Sequence, residues 1–89
     1  MHAVVVRVSF KDAARAEEFL RSEIVPRVSQ APGLVAAYWS RSEGGDNGLS
    51  FIVFDSEEGA RGMAEQIEAQ DDAPVTLDGV EVREVLASA

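Results

Sequence analysis

The sequence predicts an α+β domain of order β-α-β-β-α-β: a four-stranded antiparallel sheet with two helices on one face. Three observations predict it. The strand candidates Ala3–Phe10 and Leu49–Phe54 are apolar at both parities, with Val4, Val6, Val8 and Phe10 alternating with Ala3 and Val5, and Ser50, Ile52 and Phe54 alternating with Leu49, Phe51 and Val53. Side chains of a strand point alternately to opposite faces, so such runs imply burial on both sides. The chain has material for two amphipathic helices, enough to cover one face only. A glycine-rich stretch, Glu43-Gly44-Gly45-Asp46-Asn47-Gly48, falls at the middle and joins two strand candidates as a hairpin. The uncovered face needs a partner, most simply a second copy of the chain, so a homodimer is expected.

The elements follow in order. After the first strand, Asp12 can cap a helix by accepting from its free first-turn amides. Ala16, Phe19, Leu20, Ile24 and Val28 then recur at helical spacing. Pro26 is expected to end or kink this helix near Val25, with a second short turn through Arg27–Gln30. Ala31-Pro32-Gly33 marks a turn, and Leu34–Ser42, with Val35, Tyr38 and Trp39, suits a strand. The third strand stops at Asp55-Ser56-Glu57-Glu58, where either Asp55 or Ser56 can cap the second helix. Ala60, Met63, Ala64 and Ile67 form its apolar stripe, and Gly59 and Gly62 weaken its propensity, so packing must hold it. The helix is expected to dissolve over Gln70-Asp71-Asp72-Ala73-Pro74. A last strand is expected at Val80–Ala87, with a short extended piece at Val75–Leu77 turning on Asp78-Gly79.

Eighty-nine residues make a single domain, 1–89, near the lower limit for a self-sufficient core. No cysteine is present, which removes disulfides and thiolate metal sites. The net charge of −8, from 16 acidic and 8 basic residues without a basic cluster, argues against nucleic acid and anionic membrane as partners. No apolar run approaches the roughly 18–20 residues of a spanning helix, and Met1-His2 leads straight into a strand. The expectation is an untargeted cytoplasmic protein.

The opening VVVRVSF, the helix with EEFLRSEIVP, the turn and strand QAPGLVAAYW, and FIVFDSEEGARGMAEQI together resemble the antibiotic-biosynthesis-monooxygenase-like group of dimeric α+β barrel proteins. The resemblance spans nearly the whole chain and implies a ferredoxin-like fold whose sheets pair across a dimer into a barrel. It also implies a pocket in each subunit between sheet and helices. Members of this group include cofactor-independent oxygenases of polycyclic phenols, quinol oxygenases and haem-degrading enzymes. The haem-degrading members use an Asn on the first strand, a Trp at the end of the third and a His on the second helix. Val6 and Phe54 stand at the first two positions here, and Glu57–Gln70 contains no histidine, so haem degradation is not expected.

Candidate chemistry is sparse. His2 is the only histidine, either a base on an ordered first strand or a surface group at a frayed end. No metal-ligand spacing, phosphate-cradling loop or nucleophile–histidine–carboxylate arrangement is present, so neither metal nor cofactor is expected. Tyr38 and Trp39 are adjacent on a strand and must face opposite sides, one toward the helices. An aromatic ring there can stack on a flat substrate. Arg7 interrupts an apolar strand and, on the side away from the helices, needs a carboxylate such as Glu81 or Glu84. Asp55 has a structural task as a cap. The substrate pocket is expected to be lined by Val6, Phe19, Tyr38, Trp39, Phe54 and Met63, while no catalytic residue can be named.

Two functions fit this pattern. One is a cofactor-independent monooxygenase or related enzyme acting on a small aromatic or polyketide-like compound. The other is a non-catalytic dimeric module that binds a small apolar ligand or serves a structural or stress-related role.

Overall fold

The computed structural model describes residues 1–70 and 74–89, and the expected end of the second helix falls partly on residues 71–73, outside the described residues. The strands are β1 (His2–Phe10), β2 (Leu34–Arg41), β3 (Asn47–Phe54) and β4 (Val75–Glu84), in the order β2-β3-β1-β4. Every neighbouring pair is antiparallel. The two most apolar strands, β1 and β3, are the two central ones, as burial on both faces requires.

Two helical arms cover one face. The first comprises α1 (Ala13–Phe19), a π-helical segment (Leu20–Ile24) and α2 (Val25–Ser29). Asp12 caps it, accepting from the Arg15 amide at 3.1 Å. Pro26 does not end this arm. A proline inside an α-helix leaves a carbonyl without its donor and crowds the preceding turn. Here the turn before it widens, with the Val25 amide donating to the carbonyl of Leu20, and the chain stays helical through Ser29. The second arm, α3 (Glu57–Ala69), is capped by Ser56, whose hydroxyl accepts from the Gly59 amide at 3.1 Å.

Asp55, the other candidate cap, serves the preceding turn. Its amide donates to the Gly33 carbonyl at 2.9 Å. Gly33 has φ +80°, and a β-carbon there would stand 2.5 Å from Asp55 Oδ1. The turn therefore requires glycine both for its left-handed backbone and for its closeness to Asp55.

Two bulges depart from the sequence expectation. β2 shifts register between Leu34 and Ala36, so Leu34 lies opposite Phe54 while Ala37 lies opposite Ile52. Leu34 thereby joins the face of Ala37 and Trp39 although its sequence parity matches Tyr38. In β4, Asp78-Gly79 is not a turn. Arg7 pairs with Gly79 and Val8 with Leu77, so Asp78 is the extra residue of a bulge inside one continuous strand. Its carboxylate accepts from the Ser9 hydroxyl, which anchors the bulge to β1. The strand ends at Glu84, three residues before the expected Ala87.

The core lies between the sheet and α3. Val4, Val6, Ile52 and Phe54 from the strands meet Val28, Ala60, Met63 and Ala64 from the helices. Burial of this apolar surface supplies the driving force that the weak helix propensity of α3 does not.

Candidate functional site

Where α3 lies on β1, β3 and β4, α1 and the π segment contact mainly the neighbouring turns of their own arm and stand away from the sheet. The gap is a cavity of about 620 Å³, within the roughly 300–1,000 Å³ that holds a small organic ligand. Its inner wall is apolar: Val6, Val8 and Ile52 from the sheet, Ala16 and Ile24 from the first arm, Met63 from α3. Gly48 lets the chain approach closely at one end, since a β-carbon there would meet Phe10 Cζ at 2.9 Å.

The helix-facing parity of β2 places Trp39 in this wall, opposite Ser50 of β3, which also lines the cavity. Val6, Phe19, Trp39 and Met63 of the expected pocket residues line it. Two do not. Tyr38 points to the opposite face and is 70% exposed, so its hydroxyl cannot reach a molecule between sheet and helices. Phe54 is 1% exposed and sits in the core beside Gly59, where a β-carbon would come within 3.2 Å of its ring. It belongs to the sheet–helix core and does not line the cavity.

The rim is charged. Glu17 of α1 reaches Arg41 at the end of β2, with Oε1 3.6 Å from Nη1, and Arg21 one helical turn away, with Oε2 3.2 Å from Nε. Lys11, Arg27 and Glu68 also border the opening. The Glu17–Arg41 contact joins α1 to the sheet across the opening. Both side chains are exposed, so it contributes little to stability. Neither Arg41 nor Glu17 stands out in the sequence. The one signal was that Arg41 shares parity with Trp39, on the same strand two residues on.

On the far face, Arg7 of β1 meets Glu81 of β4 at 3.1 Å, and Arg83 reaches the same oxygen, Oε1, at 3.1 Å. Arg83 foremost, with Arg7, holds the Glu81 carboxyl below the ordinary glutamate value of 4.5. Oε1 is shielded from solvent and neither guanidinium donates to it along a good hydrogen-bond line. Around this cluster Leu49 is 45% and Phe51 39% exposed, beside Tyr38.

His2 is paired from the start of β1, with Phe54 on one side and Glu84 on the other, so the strand end is not frayed. Its Nε2 lies 4.0 Å from Glu57 Oε1 at the start of α3, and it does not line the cavity. Glu57 is itself held by Arg61, at 2.6 Å from Nη2, which lowers its carboxyl below the ordinary value. A shallow depression bounded by Glu57, Glu58, Arg61, Gly62 and Glu65 on the outside of α3 has no apolar side chain to hold an organic ligand.

No family model and no curated protein matches this sequence. Solved structures do match its fold. A candidate antibiotic biosynthesis monooxygenase of Deinococcus radiodurans superimposes with TM-score 0.74 at 18% identity, covering 100% of this chain and 96% of that one. A monooxygenase from the gene ActVA-Orf6 of Streptomyces coelicolor, solved with the ligand nanaomycin D, gives TM-score 0.63 at 18% identity over 99% of this chain and 92% of that one. A dimeric ferredoxin-like protein from an uncultured marine organism gives 0.62 at 17% identity over 100% and 98%. The chain has the ferredoxin-like fold of the antibiotic-biosynthesis-monooxygenase-like proteins.

Proposed function

We propose that this chain works in the cytoplasm as a homodimer whose sheet–helix cavity takes a small flat aromatic or polyketide-like compound and oxygenates it with dioxygen, without a cofactor. The observation that carries the ligand class is the apolar cavity with Trp39 in its wall and charged groups only at its rim. A flat ring system stacks on the indole and leaves its polar edge toward the opening. In the proposed reaction a phenolate supplies electrons to O2 and a carbon–oxygen bond forms. The resulting hydroperoxide then loses water to leave a quinone, so phenol and O2 give quinone and H2O. The protein's share is to exclude water from the apolar body of the substrate and to favour its anion.

The second copy covers the face of Tyr38, Leu49 and Phe51, which no helix among the described residues reaches. The dimeric solved structure of the same fold supports that occupant.

A second reading, a non-catalytic ligand-binding module, draws support from the placement of Tyr38 and His2, both away from the cavity. Oxygen consumption with a panel of polycyclic phenols, without added metal or flavin, separates the two. Uptake abolished by Ser50→Phe, which places a ring in the cavity opposite Trp39, supports the oxygenase. Binding of the same phenols without uptake supports the module, and binding unaffected by Ser50→Phe removes the cavity from both.

A further inference from the structure

The charged rim selects the ligand's charge. Among the described residues bordering the cavity, Lys11, Arg21, Arg27 and Arg41 outnumber Glu17 and Glu68, the reverse of a chain with 16 acidic and 8 basic residues. The remainder of the chain is strongly net acidic, so its overall field repels an approaching anion. At the opening it meets guanidinium groups at the edge of an apolar wall. Among the described residues Glu17 is the one carboxylate in contact with them, 3.6 Å from Arg41 and 3.2 Å from Arg21.

We propose that Glu17 is a resident counter-ion and that the cavity takes an aromatic monoanion, whose acid group replaces Glu17 on Arg41. The apolar body lies against Trp39 and Met63, and the anionic oxygen stays at the rim. Three features favour an exchange over a fixed clasp. The Glu17–Arg41 separation of 3.6 Å is longer than a hydrogen bond, both side chains are exposed, and Arg21 keeps Glu17 paired on its own helix when Arg41 turns away. The cost of releasing Arg41 is therefore small. An uncharged ligand of the same shape gains the apolar contacts and nothing from Arg41. This rests on the cavity being the ligand site.

The test uses two probes with the same aromatic body, 1-anilinonaphthalene-8-sulfonate and the uncharged N-phenyl-1-naphthylamine, titrated by fluorescence at low ionic strength. Arg41→Met weakens the sulfonate by about three- to tenfold, the range of an exposed charge-assisted contact, and leaves the uncharged dye unchanged. Glu17→Gln frees Arg41 and tightens the sulfonate, by a smaller factor than Arg41→Met weakens it. Unchanged affinity for the uncharged dye shows that each variant is folded with its cavity intact. Ser50→Phe abolishes binding of both dyes while its far-ultraviolet dichroism stays that of the wild type. If both dyes depend on Ser50→Phe but the sulfonate ignores Arg41→Met and Glu17→Gln, the exchange is refuted and the cavity still stands as a ligand site. If neither dye responds to Ser50→Phe, the ligand site itself is refuted, and the exchange with it.

Discussion

Tyr38 and Phe51 lie opposite each other across β2 and β3, on the face turned away from both helical arms. Leu49 follows two residues before Phe51 on the same face. An apolar patch at the middle of a sheet, left in water, is a standing association site. Phe51→Glu puts a charge at its centre without touching the sheet–helix core. The expected result is conversion from a species of twice 9.6 kDa to a single chain in sedimentation equilibrium, with the far-ultraviolet dichroism preserved. A wild-type chain that already sediments alone at micromolar concentration refutes the homodimer.

Gly33 tests the turn that joins the first helical arm to β2. An alanine there must hold φ near +80°, at about 1–2 kcal/mol for an L-residue. It must also displace the carboxylate of Asp55. Gly33→Ala is expected to lower the denaturation midpoint clearly, and Gly33→Ala with Asp55→Ala to recover the steric part while the backbone part remains. Equal loss in the two variants means that Asp55 is not the obstacle.

Stability should fall on acidification. The Glu81 carboxyl is held down by Arg83 and Arg7, and that of Glu57 by Arg61. A group whose folded value lies below its unfolded one contributes stability above the unfolded value, and that contribution disappears as pH drops through the folded one. The window therefore opens below the ordinary glutamate value of 4.5. Urea midpoints should be level from pH 7 to about 5 as far as these two groups are concerned and decline below that. In Glu81→Gln with Glu57→Gln the decline should be shallower. An identical decline assigns the acid sensitivity to other carboxylates.

Much of the fold could be read from the residues because local pattern and tertiary packing agree there. β1 and β3 alternate between two apolar sets and are the central strands, and α3 carries its stripe at Ala60, Met63 and Ala64. What stayed hidden depends on register or on distant pairing. Sequence parity groups Leu34 with Tyr38, but the bulge at Leu34–Ala36 puts Leu34 on the face of Trp39. Asp78-Gly79 has the composition of a turn, yet pairing with β1 continues through it. Pro26 reads as a helix stop or kink, and the chain stays helical past it by way of the π segment. Glu17 and Arg41 meet only because the first arm crosses the end of β2, a relation that no spacing encodes. By contrast, the Arg7–Glu81 pair follows from a charge in an apolar strand needing an opposite charge on a neighbour.

Phe54 and Trp39 separate stability from ligand binding. Both carry large rings on the helix-facing side of the sheet, but Phe54 is 1% exposed and fixed among core side chains. Trp39 is half-buried and borders the cavity. Removing the Phe54 ring opens a void that its neighbours cannot fill, so Phe54→Ala is expected to cost about 3–5 kcal/mol. Removing the indole enlarges a space already open to solvent, so Trp39→Ala should cost clearly less in the same urea titration. Its effect belongs to binding: N-phenyl-1-naphthylamine should lose affinity by tenfold or more, roughly the 1.4 kcal/mol of one aromatic stacking contact. Trp39→Phe should keep part of that affinity. If Trp39→Ala unfolds the protein as readily as Phe54→Ala, the indole is a core residue and the cavity has lost its stacking wall.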